Sequence, residues 1–220
     1  MTDAPIAVDI LSVQFIANAP ASLCKALGVL DGKRSLGLIS TDCDDATYIA
    51  LDEATKSANV EVVYAKSLYA GAKNASTKLA GEVIGIVAGE NPSEVRSGLD
   101  AAVRMLDHIG FRSANDDNSI VYLAHCVSSS GSFLSKMARI RQGEALAYLI
   151  APPVEAMVGL DAALKASDVR LCEFFAPPSE TNFAGGLLTG TQSACKAACE
   201  AFAAAVTAVA DKPRGDMYGI

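Results

Sequence analysis

A chain of 220 residues, 51% hydrophobic against 20% charged and with a mean hydropathy of +0.29, allows one domain or two and is apolar for a soluble monomer. Its net charge of −7 and pI near 4.8 exclude a nucleic-acid partner, which needs a basic face, and suit a cationic ligand. The start, MTDAPIAVDI, lacks the basic and apolar regions of a secretory signal, and no apolar run is expected to approach the roughly 18 residues of a membrane helix, so the apolar surplus is read as subunit interface.

Val8–Ala17, rich in branched residues, predicts a strand, and Pro20 opens a short helix over Ala21–Leu27 with Asn18 as its cap. Lys33–Thr41 is a second strand. Asp42, Asp44 and Asp45 stand where a helix begins, and Ile49, Ala50, Ala54 and Ala58 give that helix one buried face. Asn59 ends it, Val60–Ala65 is a strand, and Lys66–Lys78 has the composition of a loop. Gly81–Ala88 is a strand, and Asn91-Pro92-Ser93 starts a helix patterned by Val95, Leu99, Ala102, Val103 and Leu106. The polar stretch Gly110–Asn118 reads as a linker.

After it the series restarts. Ser119–Val127 is a strand, Gly131–Met137 a short helix, Ala145–Ala151 a strand, Val154–Ser167 a helix and Val169–Phe174 a strand. Ala176–Ala184 is a loop, Gly185–Thr189 a strand, Thr191–Ala210 an alanine-rich helix, and the tail from Asp211 reads as disordered. Leu51, Asp52, Ala54, Lys56 and Val60 match Leu160, Asp161, Ala163, Lys165 and Val169 at one offset, 160 − 51 = 109, and Leu23 and Lys25 match Leu134 and Lys136 at 111. Two copies of one domain follow, each reading β-α-β-α-β-loop-β-α. Loops in equivalent places of two repeats, gathered around an axis, are candidates to line a pore.

The residues offer little catalytic chemistry. Cys24, Cys43, Cys126, Cys172, Cys195 and Cys199 are scattered, which fits reduced thiols better than a disulfide framework. Cys195 and Cys199 share a helix face, but two ligands are too few for a structural zinc, and His108 and His125 have no metal-type spacing. The run from Gly185 to Gly190 lacks the lysine of a phosphate loop, and no nucleophilic triad can be argued from spacing. Asp44 and Asp45 read first as residues that oppose a helix dipole. Together with Glu82, after the first loop, they also form a set that would attract a small ammonium ion, and an aromatic face such as Phe111 would add about 0.5–2 kcal/mol of cation–π attraction. Tyr69 and Phe183 lie beside glycines in the loops Ser67–Lys78 and Pro177–Gly185, where aromatic plugs could close an opening.

Leu36-Gly37-Leu38-Ile39, followed by Lys56-Ser57-Ala58-Asn59-Val60, resembles the bacterial microcompartment shell domain; the second copy has Leu146–Ile150 and Lys165-Ala166-Ser167-Asp168-Val169. The strand that closes a single-domain member stands at the front of each repeat here, as Ile10–Ile16 and Ile120–Val127, so the chain looks like the circularly permuted tandem form. The stretches VVYAKSLYAGA, AGEV, LAYLIAPP, ALKASDV, PPSETNFAG and LTGTQSACKAAC resemble the L-type shell proteins of ethanolamine utilisation, over about Val8 to Ala210. Neither repeat has the short K-x-G-S-G pore loop of single-domain members, so pore size does not transfer.

The resemblance implies an α+β fold of two tandem, circularly permuted, ferredoxin-like shell domains, residues 1–113 and 114–212, with a flexible tail over 213–220. It implies a homotrimer that mimics a hexamer, tiled with other shell proteins in a cytoplasmic microcompartment, with no nucleic acid, membrane or metal partner and no catalytic residues. Ethanolamine would bind at Asp44, Asp45, Glu82 and Phe111, in a small pore within each chain. A gated central pore would be built from Tyr69, Gly71, Asn182 and Phe183, and Lys56 and Lys165 would make tile-edge contacts. No cofactor is required, although a corrinoid is a candidate to pass or bind. A tandem small-molecule sensor or enzyme of the same fold is the alternative.

Overall fold

The structure, a computed structural model, describes residues 3–29, 32–67, 83–115, 117–177 and 183–215. In chain order the elements are β1 (Ile10–Ile16), α1 (Ala21–Ala26), β2 (Ser35–Thr41), α2 (Asp44–Ser57), β3 (Glu61–Ser67), β4 (Val83–Gly89) and α3 (Pro92–Leu106). They continue with β5 (Arg112–Ser113), β6 (Val121–Val127), α4 (Ser132–Ala138), β7 (Ala145–Ala151), α5 (Pro153–Ala166), β8 (Val169–Phe175), β9 (Ala184–Gly190) and α6 (Gln192–Asp211). The chain divides into two compact units that exchange segments. An amino unit takes Ala7–Ile109 and Ser130–Lys136, and a carboxy unit takes Met1–Ile6, Gly110–Ser129 and Met137–Ile220.

The amino unit holds an antiparallel sheet of order β1-β2-β4-β3. Period-two alternation splits its residues between two faces. Leu36, Leu38, Ile84 and Ile86 pack with Cys24 and Leu27 beneath α1. Gly37 and Gly85, one residue out of phase, face the long helices, where an added Cβ would lie 2.7 Å from Leu99 of α3 and 2.6 Å from Leu51 of α2. Glycine at these points lets the helices come down onto the strands. The carboxy unit holds the order β5-β6-β7-β9-β8, also antiparallel, with α5 and α6 packed over it around Tyr122, Leu149, Leu160, Leu188 and Phe202. The repeat extends to a defect in the ladders: β3 slips between Val62 and Tyr64, and β8 between Leu171 and Glu173, again 171 − 62 = 109 residues apart.

Three expectations are corrected. The linker over Gly110–Asn118 contains β5 and carries structure on both sides. Arg112 and Ser113 pair with Tyr122 and Val121, and the start of the chain lies along the other edge. The amides of Asp3 and Ile6 donate to the carbonyls of Ser113 and Phe111 at 2.7 and 2.8 Å, and Ser113 N–H donates to Ala4 at 3.0 Å. The Tyr122 hydroxyl donates to Asp3 at 2.8 Å, and burial together with the Asp3 carboxylate pushes its pKa up to about 12. A two-residue strand, with one partner just downstream and the other more than a hundred residues upstream, leaves no local periodicity to read.

Asn18 does not cap α1: Pro20 holds the cap position, with no side-chain hydrogen bond. Finally, α6 is long and apolar enough to cross a membrane by length and composition alone. Its apolarity is mostly alanine, and its face of Cys195, Ala198, Cys199, Phe202 and Val206 is buried. Thr191 caps it, accepting from Ala194 N–H at 3.2 Å.

Candidate functional site

The turn from β2 into α2 is fixed by side chains. Thr41 Oγ1 accepts from Cys43 N–H at 3.0 Å and lies 2.7 Å from Thr47 Oγ1, and Thr47 in turn donates to the Cys43 carbonyl at 2.8 Å. Asp42 accepts from Asp9 N–H at 2.8 Å, which holds the start of β1 against this turn. Asp44 accepts from the Ser67 hydroxyl at 2.6 Å through one carboxylate oxygen and from Asp45 N–H at 2.8 Å through the other. The last residue of β3 is therefore tied to the first turn of α2.

Asp44 is half-buried and Asp45 buried, both in that first turn, where the partial positive charge of the helix start favours anions. Burial, and then the Asp45 carboxylate, hold the Cys43 thiol well above its ordinary value, so it stays protonated. Among the described residues the acidic pair belongs to one repeat alone: at the same offset, Pro153 and Val154 replace Asp44 and Asp45.

Asp44 and Asp45 lie in the amino unit and Phe111 in the carboxy unit. Glu82, Tyr69, Gly71 and Asn182 lie outside the described residues. Phe111 and Phe183, both half-buried in the carboxy unit, pack with ring centroids 5.3 Å apart at 55°. An aromatic of the expected ligand set thus touches an aromatic of an expected pore loop. Nothing in the sequence pairs residues 72 positions apart (183 − 111), so this contact was not legible there. The role of Ser67 was also missed, although a hydroxyl at the junction of strand and loop was the available signal. Among the described residues no group of three or more His, Cys, Asp or Glu is arranged to hold a metal.

The two lysines differ. Lys56 pairs with Glu53 at 2.5 Å and keeps 25% of its side chain exposed, whereas Lys165 pairs with Asp161 at 2.7 Å and keeps 75% exposed. Glu53 has alanine, Ala162, as its counterpart in the second repeat.

A family model described as BMC domain matches residues 35–114. A curated relative, the bacterial microcompartment shell protein EutL of Clostridium perfringens, is 66% identical over 208 residues, covering 94% of this chain and 96% of that protein. The crystal structure of EutL from Clostridium perfringens superposes with a TM-score of 0.95 at 64% identity, over 98% of this chain and 99% of that one. The ethanolamine utilization protein EutL of Leptotrichia buccalis gives a TM-score of 0.94 at 60% identity, over 97% and 99%.

Proposed function

The chain belongs to the EutL family of bacterial microcompartment shell proteins, and on that premise we propose that three copies close into a pseudo-hexameric tile whose openings pass small molecules selectively. It is a structural component of the shell of the ethanolamine-utilisation microcompartment and not an enzyme. The single observation that carries this is identity of 66% sustained over 94% of the chain, which spans both repeats. Electron microscopy of the purified protein tests it: sheets of tiles with threefold symmetry are expected, and a population of isolated monomers alone would overturn it.

Each chain holds ethanolamine at a small pore through Asp44, Asp45, Glu82 and Phe111. Two carboxylates at the start of α2, one of them buried, supply the negative charge that a primary ammonium needs, and the aromatic ring supplies a cation–π face. Tyr69, Gly71, Asn182 and Phe183 belong to the loops that open and close the central pore, wide enough when open for a corrinoid to pass. The packing of Phe183 on Phe111 supports a mechanical link between that loop and the amine site. Lys165, with most of its side chain in solvent, is the better placed of the two lysines to bond an adjacent shell protein at the tile edge.

Calorimetry of ethanolamine against the double variant Asp45→Ala/Glu82→Ala is expected to show at least a hundredfold weaker binding, since a charge-assisted hydrogen bond contributes about 1.5–3 kcal/mol. An unchanged isotherm would remove the site and leave the shell role standing.

A further inference from the structure

Asp44 opens α2, and a carboxylate at a helix start turns about two side-chain torsions unless something outside the helix holds it. One hold comes from within α2, where Asp45 N–H donates to Asp44 Oδ1 at 2.8 Å. A second comes from the sheet. The Ser67 hydroxyl donates to Asp44 Oδ2 at 2.6 Å, in the short range of the stronger hydroxyl–carboxylate bonds.

The sheet aims that hydroxyl. Ser67 of β3 pairs with Val83 of β4, and Val83 pairs with Thr41 of β2, so the three form one row across three strands and share a face. Thr41 and Val83 are fully buried, which sets the row in the core of the amino unit. The hydroxyl residues at its two ends hold successive residues at the head of α2. Thr41 Oγ1 accepts from Cys43 N–H at 3.0 Å, and Ser67 donates to Asp44.

The second repeat lacks both members of the Ser67–Asp44 bond. At the offset of 109, Ala176 stands in the place of Ser67 and Pro153 in the place of Asp44. The strand itself does not need the hydroxyl. β8 runs for seven residues to Phe175 and keeps its ladder with β9, with no serine or threonine in it. A hydroxyl that is present where there is a carboxylate to hold, and absent where there is none, serves the carboxylate and not the strand.

We propose that Ser67 is a positioning residue of the amine site: its hydroxyl fixes the direction of the Asp44 carboxylate, so that a primary ammonium meets an acceptor already in place. This role rests on the reading of Asp44 as an ammonium ligand and adds the group that orders it. A hydroxyl has one hydrogen to give, and this one goes to Asp44, so Ser67 acts through that carboxylate. Ordering a side chain on binding weakens affinity by the rotamer freedom it loses; here that freedom is lost on folding instead. Alanine at 67 leaves the carboxylate in place and returns its rotamers. Threonine keeps the donor.

Calorimetry of ethanolamine on the full chain tests this with Ser67→Ala, Ser67→Thr, Asp44→Asn and the double variant Ser67→Ala/Asp44→Asn. Ser67→Ala should bind about fivefold more weakly than the parent and Ser67→Thr within about twofold of it, both with the parental urea midpoint. Asp44→Asn should weaken binding, and adding Ser67→Ala to it should weaken it no further, because the two residues act as one unit. Parental or tighter binding by Ser67→Ala, failure of threonine to restore it, or a second loss in the double variant would overturn the positioning role. A lowered urea midpoint for Ser67→Ala would overturn it too, by making the hydroxyl a support of β3. Parental binding by Asp44→Asn would instead remove the ammonium reading of Asp44 beneath it.

Discussion

Gly185→Val is expected to abolish the folded carboxy unit, a loss of more than about 4 kcal/mol, seen as the disappearance of part of the cooperative urea transition. Gly185 lies in β9, paired with Ile150 of β7 on one side and Phe175 of β8 on the other. A Cβ there would run into the backbone carbonyl oxygen of Leu149 and lie 2.9 Å from Ile150 Cδ1. A carbonyl held in a sheet cannot turn aside as a side-chain tip can, and β9 cannot move from β7 without losing register with β8. The contrast is Gly98→Ala on α3, where the added methyl meets a Val60 methyl at 3.1 Å and the helix gains about 1 kcal/mol of propensity. That variant should unfold within about 1 kcal/mol of the parent. Near-parental stability of Gly185→Val would mean that β7 and β9 do not pair in this register.

Asp52→Ala is expected to cost about 3 kcal/mol, and Asp161→Ala less than about 0.5 kcal/mol, by urea denaturation at neutral pH. The two residues occupy the same place in the repeat, but Asp52 joins two buried backbone amides of the α4 segment and Asp161 pairs with Lys165 in solvent. Removing the Asp52 carboxylate strands both amides. The cost also has a pH signature. Burial raises the Asp52 pKa above its ordinary 3.8, against the opposing pull of the Leu134 and Gly131 amides. The folded chain then holds this proton more tightly than the unfolded one. The group's stabilisation is complete below the unfolded pKa and declines as pH rises through the folded value, so the gap between parent and variant should be widest in acid. Equal costs for the two substitutions would contradict the seating of α4 on α2.

This pair of aspartates shows where reading the sequence stops. The offset of 109 located the repeat, and Ala145–Ala151 was found to the residue because a buried central strand is a continuous apolar run. Local pattern could not say which aspartate is buried. Leu51-Asp52 and Leu160-Asp161 sit at matching places in two fourteen-residue helices, and the difference is made by a seven-residue helix some eighty positions away. Of the candidate site, Asp44 and Asp45 were legible as a helix start and proved to be one. Their anchoring through Ser67, the tie of Asp9 to Asp42 and the packing of Phe111 on Phe183 depend on tertiary neighbours that carry no mark in sequence spacing.

The strip of backbone from Asp3 to Ile6 along β5 has a consequence for how the chain is made. The amides and carbonyls these residues bond, at Phe111 and Ser113, are translated more than a hundred residues after them. At about 5–20 residues per second this strip waits on the order of ten seconds for its partners. The amino unit waits longer still, since its last piece ends at Lys136. Neither unit can close in simple order of synthesis, and anything fused ahead of Asp3 must travel back with it to a sheet that does not yet exist when it emerges.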